Sequence, residues 1–422
     1  MRPPVIEDAE LPPTRTRPLL IGVSLVVAAV CSSLWLVRNT DLGIYWYGVN
    51  GFFSGIRSAY GPDSGVGDPL EYRYAPVTYL ILYPLRFVSL RVAGFWWMLV
   101  AWAAAIATVW TAVRVRGLRF SNTAMVACCA YMLAYLVLAI RYGNVQPFAI
   151  CAIFASLMLA EKQPGWSGIL LALAITFKIW PILFLPWLLR RTRLRAATYS
   201  LVWLIVIWML PLPVFGASGY RALIQQWYGA ISGLGATYPD VHYVLGESLR
   251  ELMVRHFTAA APALKDVPAF HILALSQSTV TIIWAVVSVA VYSWFAVCML
   301  RSDVSKMWAW DGLAFVLYSI VEPYAVKSGL ISLGPAVLTA ACLYTLGTEE
   351  RAEQPIISRA NTLFLGACLI AVIGTVIQYR PWQHFLLGIG LDFWAELLLL
   401  SAMFLWITRT NLPERLSGSF HS

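Results

Sequence analysis

The feature that most constrains this chain is a repeated alternation. Apolar blocks of about twenty residues are separated by short breaks rich in charge, glycine or proline. About twenty apolar residues cross the hydrocarbon of a bilayer as a helix, and a helix satisfies its own backbone there. The pattern predicts an all-α, polytopic helical membrane protein. Composition agrees: 60% of the 422 residues are hydrophobic and 12% are charged, against about 25% charged in soluble domains.

The blocks fall at about 19–37, 75–90, 92–113, 121–141, 147–161, 166–189, 196–215, 277–300, 307–322, 329–346, 360–378 and 386–408, giving about 11–12 transmembrane helices. One integral membrane domain over 18–408 is expected, with cytoplasmic tails at 1–17 and 409–422. The first block follows Arg2, Arg15 and Arg17 and ends without a small-x-small site, so it reads as an uncleaved span with its N-terminus inside. A cleaved signal is the competing reading.

Cytoplasmic loops carry an excess of Lys and Arg. That rule places RRTRLR at 190–195, Arg301 with Lys306, and Arg409 with Arg415 inside. One conflict follows. Arg114, Arg116 and Arg119 land outside if 75–90 and 92–113 both span, although Pro76, Pro84 and Arg86 leave 75–90 open to a broken or re-entrant form. The two long polar stretches, 38–74 and about 216–270, are expected on the non-cytoplasmic side of the cell membrane. In the first, aromatics and glycines from Leu42 to Tyr60 suit a helix lying in the interface.

The net charge of +9 gathers at loop boundaries, which suits orientation and contact with anionic lipid headgroups. No nucleic-acid recognition motif is present. The seven cysteines lie in apolar blocks without metal-ligand spacing. No P-loop, nucleotide fingerprint or HExxH occurs, and no internal repeat is evident.

Several polar residues sit oddly in this apolar background. Asp41 follows the first block within a few residues; it either caps the interfacial helix or serves as a general base at the membrane surface. Arg141, Asn144 and Gln146 interrupt two blocks in RYGNVQP. Lys178 lies inside LALAITFKIWPILFLP, where an intramembrane lysine is costly and marks a functional site unless it snorkels to the interface. Glu322 and Lys327 suit a helix-end ion pair, and Asp392 with Glu396 suits either a polar cavity or an interfacial position. Tyr238, Asp240, His242, Tyr243, Glu247 and Arg250 suit either carbohydrate contact or an ordinary packed loop.

In order along the chain stand DLGIYWYGVNGFFSG (41–55), YRYAPVTYLILYPL (72–85), YGNVQPFAI (142–150), GILLALAITFKIWPILFLPWLL (168–189), GESLRELMVRHF (246–257) and EPYAVKSGLISLGPA (322–336). Together they resemble the polyprenol-phosphate-dependent glycosyltransferases of family 87, in the type C membrane superfamily. The resemblance implies transfer of a hexose, mannose foremost, from a polyprenyl-phosphate donor to a lipid or glycan acceptor on the outer face. It makes Asp41 the base and sets Lys178 against the donor phosphate.

Arg73 and Arg57 are further candidate cations, since arginine grips phosphate bidentately. Tyr45, Tyr74, Asn144, Gln146, His242, Glu247, Lys327 and His384 are the expected substrate contacts. The order G-N-V-Q departs from the family's G-Q-x-N, and the family's histidine stretch is altered, with Gly329 where histidine is common.

The leaving group is a phosphate, so one carboxylate and nearby cations suffice, and direct displacement inverts the anomeric centre. No cofactor and no metal is demanded, although Asp41, Asp63, Asp68 and Glu71 remain an alternative metal set. Two further readings stand beside transfer: a transporter or flippase of a lipid-linked sugar, and a non-catalytic assembly partner.

Overall fold

In the computed structural model, residues 28, 30, 41–61, 64, 71–115, 120–232, 248–258, 272–323, 327–349, 355–377 and 380–409 are described. The first apolar block lies almost wholly outside them, as do His242 and Glu247. Among the described residues the protein is all helix, with one isolated bridge between Thr258 and Leu275.

The first polar stretch yields α1 (Asp41–Phe53), an aromatic helix that buries Leu42, Ile44, Tyr45 and Val49. The block at 75–90 does not span. It gives only α2 (Val77–Ile81) and a 3-10 turn at Tyr83–Phe87. Pro76 and Pro84 lack amide protons and break the helical ladder. The next helix, α3 (Leu90–Val115), is long enough to cross, as is α4 (Asn122–Arg141).

Shorter helices follow: α5 (Gln146–Leu159), α6 (Pro164–Phe177) and α7 (Leu194–Met209). Between α6 and α7 the chain runs through two 3-10 turns, Trp180–Phe184 and Pro186–Leu188, where Pro181 and Pro186 again prevent a regular helix. After α7 the chain bends by 85° into α8 (Leu212–Ser232). Gly216 takes φ +69° inside α8, a value that suits glycine.

The remaining elements are α9 (Leu249–Phe257), α10 (Gln277–Arg301), α11 (Met307–Val321), a 3-10 turn at Lys327–Leu333, α12 (Gly334–Glu349), α13 (Pro355–Val376), α14 (Arg380–Gly388) and α15 (Leu391–Arg409). Among the described residues six helices are long and apolar enough to cross a membrane, seven if the bent α7–α8 pair is one span.

Contacts sort the helix ends into two levels. At one, Arg193 reaches Glu161 and Asp311, Arg190 reaches Met307, and Lys306 donates to the Ile407 carbonyl. This end carries RRTRLR, so it is the basic end. At the other, the Leu42 amide donates to the Tyr142 carbonyl, Lys178 meets Glu322, and Ser248 donates to the Pro323 carbonyl. With 75–90 removed as a span, α3 runs toward the basic end. The Ser121 amide there meets Thr345, and nearby Gly347 packs by Asn361 and Trp406. The irregular run from Lys178 to Arg193 joins the two levels and replaces the discarded crossing.

The core is built around α11, in which every residue from Met307 to Val321 is buried. Its charges sit at its two ends. Asp311 accepts from Arg193 Nη1 at 2.7 Å and from Nη2 at 3.1 Å, a bidentate pair about 3% exposed. Removing one partner of such a pair leaves an uncompensated buried charge, at a cost of about 3–5 kcal/mol. Asp311→Ala is therefore expected to lower the thermal midpoint of the detergent-solubilised protein and its folded yield. An unchanged midpoint would show that the pair does not hold α11.

Candidate active site

The site stands where five segments meet at the end opposite the basic one. Asp41 opens α1, and its carboxylate favours the partial positive charge of that helix terminus. The break between α4 and α5 packs directly against it. Gly143 takes φ +65°, and a Cβ there would lie 2.6 Å from Leu42 Cβ, so only glycine permits this approach. Asn144 Oδ1 accepts from the Gln146 amide at 2.8 Å, which satisfies an amide at the start of α5. Its side chain also hydrogen-bonds Asp41.

Lys178 comes from the irregular segment. It caps the C-terminal end of α6 in extended conformation, three residues before Pro181. Its Nζ lies 3.6 Å from Glu322 Oε1 and its charge acts on Asp41. Glu322 in turn closes α11. Tyr318, one turn earlier, neighbours both Glu322 and Gln146. Gln146 is 1% exposed, and its Oε1 finds no hydrogen-bond donor among the described residues. A buried acceptor without a donor costs about 1–3 kcal/mol, which a ligand hydroxyl would recover.

Asp41 is partly buried, and the protein packed around its carboxyl raises its pKa from 3.8 to about 6. Loss of water is the largest cause; the Lys178 charge and the Asn144 hydrogen bond pull the other way. One turn along α1, Tyr45 shares a 2.7 Å hydroxyl contact with Tyr74. Both rings feel the Asp41 charge, and burial raises both phenols well above 10, so both stay protonated.

Tyr74 is held by a framework of aromatics. Tyr60 donates to its carbonyl, Tyr72 stacks on Tyr79 at 4.2 Å, and Trp227 of α8 donates to the Arg73 carbonyl.

The sequence-derived residues thus divide. Asp41, Tyr45, Tyr74, Asn144, Gln146 and Lys178 gather at one place. Arg73 lies next to it: its charge reaches Tyr74, but it pairs with Glu71 at 3.7 Å. Arg57 is placed away from Asp41, over the ring of Tyr47 at 5.7 Å and against Gly51 near the other end of α1. His384 lies on α14, which packs on α13 and α15 and accepts from Arg255 of α9 through the Leu387 and Gly388 carbonyls. The side chain of Lys327 lies outside the described residues, and Glu322 pairs with Lys178. Asp392 and Glu396 are buried in the bundle, with Tyr135 donating to Asp392 at 2.7 Å. Among the described residues no group of three metal-ligating side chains forms.

Sequence reasoning missed Glu251. It is 0% exposed and lies beside Ser248, which contacts the carbonyl after Glu322. The S-x-x-E spacing of a capping box was a signal available in the chain.

A family model, Glycosyltransferase family 87, matches residues 72–309, more than half of the chain. The match includes Tyr74, Asn144, Gln146, Lys178 and Glu251, and leaves Asp41 and Glu322 outside its bounds. No curated protein and no solved structure matches.

A buried acid that must ionise works against folding. The raised pKa means that stability falls as pH climbs from about 4 to about 6 and stays low above that. A shift of about two units corresponds to about 3 kcal/mol. Asp41→Asn is expected to raise the thermal midpoint at pH 7.5 and to match the wild type near pH 4. A lower midpoint at pH 7.5 would contradict the strained carboxylate.

Proposed function

The chain belongs to glycosyltransferase family 87, and we propose that it moves a hexose, mannose foremost, from a polyprenyl-phosphate donor to a hydroxyl of a lipid or glycan acceptor. The reaction takes place on the non-cytoplasmic face of the cell membrane. The positive-inside rule supports that side, because the site lies opposite the basic end.

The observation that carries the reading is the grouping of Asp41, Asn144 and Lys178 at one sheltered point. Asp41 is poised to accept a proton near neutral pH. Lys178 supplies a cation about one side chain away, suited to a phosphate. The acceptor oxygen attacks the anomeric carbon while Asp41 takes its proton. The bond from that carbon to the phosphate oxygen breaks, and the polyprenyl phosphate leaves as an anion beside Lys178. Attack opposite the leaving group inverts the centre. Asn144 keeps the carboxylate oriented, and the protonated Tyr45–Tyr74 pair offers hydroxyls to the sugar or acceptor.

Helix lengths support a lipid-borne donor. The 14 residues of α5 and of α6, and the 15 of α11, reach only about 21–23 Å, short of the roughly 30 Å hydrocarbon. Their ends at the site therefore stand below the outer surface that the 26-residue α3 reaches. A donor with an acyl-like tail brings its phosphate to that depth without leaving the membrane.

The test uses purified protein in liposomes with labelled polyprenyl-phosphate mannose and a lipid-extract acceptor. Removing a general base costs about 10²–10⁴-fold, so Asp41→Asn is expected to fold and lose transfer by that factor. Lys178→Ala is expected to raise the donor KM. For the wild type, kcat/KM rises with pH through about 6, where Asp41 ionises, and levels above it. Full transfer by Asp41→Asn would overturn the assignment. Movement of the donor without new product would favour a transporter.

A further inference from the structure

Ser248 caps α9, and its hydroxyl faces two acceptors: Glu251 Oε2 at 3.1 Å and the Pro323 carbonyl at 3.1 Å. The same oxygen accepts from the Glu251 amide at 3.3 Å. A serine hydroxyl carries one proton and donates once. Were Glu251 ionised, Ser248 would serve one acceptor and leave the other bare. Ser248 and Glu251 are both 0% exposed, so water does not fill the gap. A proton on Glu251 removes the conflict. Glu251 then donates to Ser248 Oγ, and Ser248 donates to Pro323.

A second observation agrees. Glu251 Oε1 is buried without a hydrogen-bond donor among the described residues. That is tolerable for the carbonyl oxygen of a neutral carboxyl and costly for a carboxylate. Burial also raises the Glu251 pKa from 4.5 to about 8, against the Ser248 hydrogen bonds and the charges of Arg255 and Arg250.

Pro323 follows Glu322, which pairs with Lys178, whose charge acts on Asp41. We propose that Glu251 is a positioning residue, protonated at neutral pH, whose proton frees Ser248 to hold the Pro323 carbonyl and with it the Glu322–Lys178 pair that faces Asp41. The effect on turnover rests on the transfer reaction proposed above; the protonation does not.

Two cations of α9, Arg255 and Arg250, act on Glu251 and oppose its protonation, and both also contact other groups. On α9, Arg255 donates to the Leu387 and Gly388 carbonyls of α14, and Arg250 faces Thr281 of α10 at 3.5 Å. The sequence of α10 holds no charged residue before Arg301 at its far end. From the other elements come Glu322 with Lys178, His384 of α14, and Asp392 of α15, to which Tyr135 donates.

Above about pH 8 the Glu251 carboxyl ionises, draws the Ser248 proton and releases Pro323. Transfer is therefore expected to fall on an alkaline limb near 8. Glu251→Gln keeps a donor to Ser248 at every pH, so it is expected to stay active at pH 7 and to lose that limb. Glu251→Ala and Ser248→Ala lose the relay, and misplacing catalytic groups costs about 10–100-fold. Independently of activity, the infrared difference between wild type and Glu251→Gln is expected to show a protonated carboxyl at pH 6.5 that disappears on titration through about 8.

An alkaline limb kept in Glu251→Gln, or no protonated carboxyl in the difference spectrum, would overturn the proposal while leaving the transferase reading intact. A carboxyl band with no product from any lipid-phosphate sugar would overturn the transferase reading and leave Glu251 protonated.

Discussion

Charge inside a membrane must be met by charge, and this constraint organises the whole bundle. The central helix α11 is buried along its entire length, yet it carries Asp311 in its second turn and has Glu322 at its end. Arg193 meets the first and Lys178 the second. Both cations flank the same short irregular run, 178–193, which joins the two levels of the molecule. One piece of chain thus clamps the core helix at both ends. The two clamps differ. Arg193 and Asp311 are sealed, bidentate and about 3% exposed; Lys178 keeps 21% of its side chain exposed and stands 3.6 Å from its partner. The tight pair suits structure, and the loose one suits a cation that exchanges partners when an anion arrives.

Asp41 completes the loose end. Among the described residues no cation stands at salt-bridge distance from it. Loss of water outweighs the pull of Lys178 and Asn144, which leaves a carboxylate ready to take a proton near neutral pH. Burial costs the fold a few kcal/mol, and the aromatic framework around Tyr74 offsets part of it by fixing the loop against α1 and α8. In the proposed reaction, short helices would set this group at a depth suited to a lipid-borne phosphate.

Much of this was legible in the chain because the signals were local. Apolar blocks announced the spans, and Asp41, Lys178, Asn144 and Gln146 stood out as polar residues in apolar surroundings. What escaped was non-local or irregular. The 75–90 block has the composition of a span, but two prolines reduce it to short turns. The 166–189 block hides a helix that ends at Phe177 and a return through 3-10 turns. Glu322 was matched by proximity with Lys327, whose side chain lies outside the described residues; the partner seen, Lys178, follows α6 and is far away in sequence. Glu251 looked like one charge among several in a polar loop; its burial became visible only when α9 packed against α10 and the end of α11. Arg57 carried the right chemistry for phosphate and stands over the face of Tyr47, near the other end of α1 from Asp41.

The most direct test of the central claim is a structure of the protein in a lipid disc with a non-cleavable polyprenyl-phosphonate sugar bound. The phosphonate is expected against Lys178, with the anomeric carbon turned toward Asp41 and Asn144. A headgroup seated at the basic end, or a sugar held out of reach of Asp41, would contradict the assignment of this cluster as the place where transfer occurs.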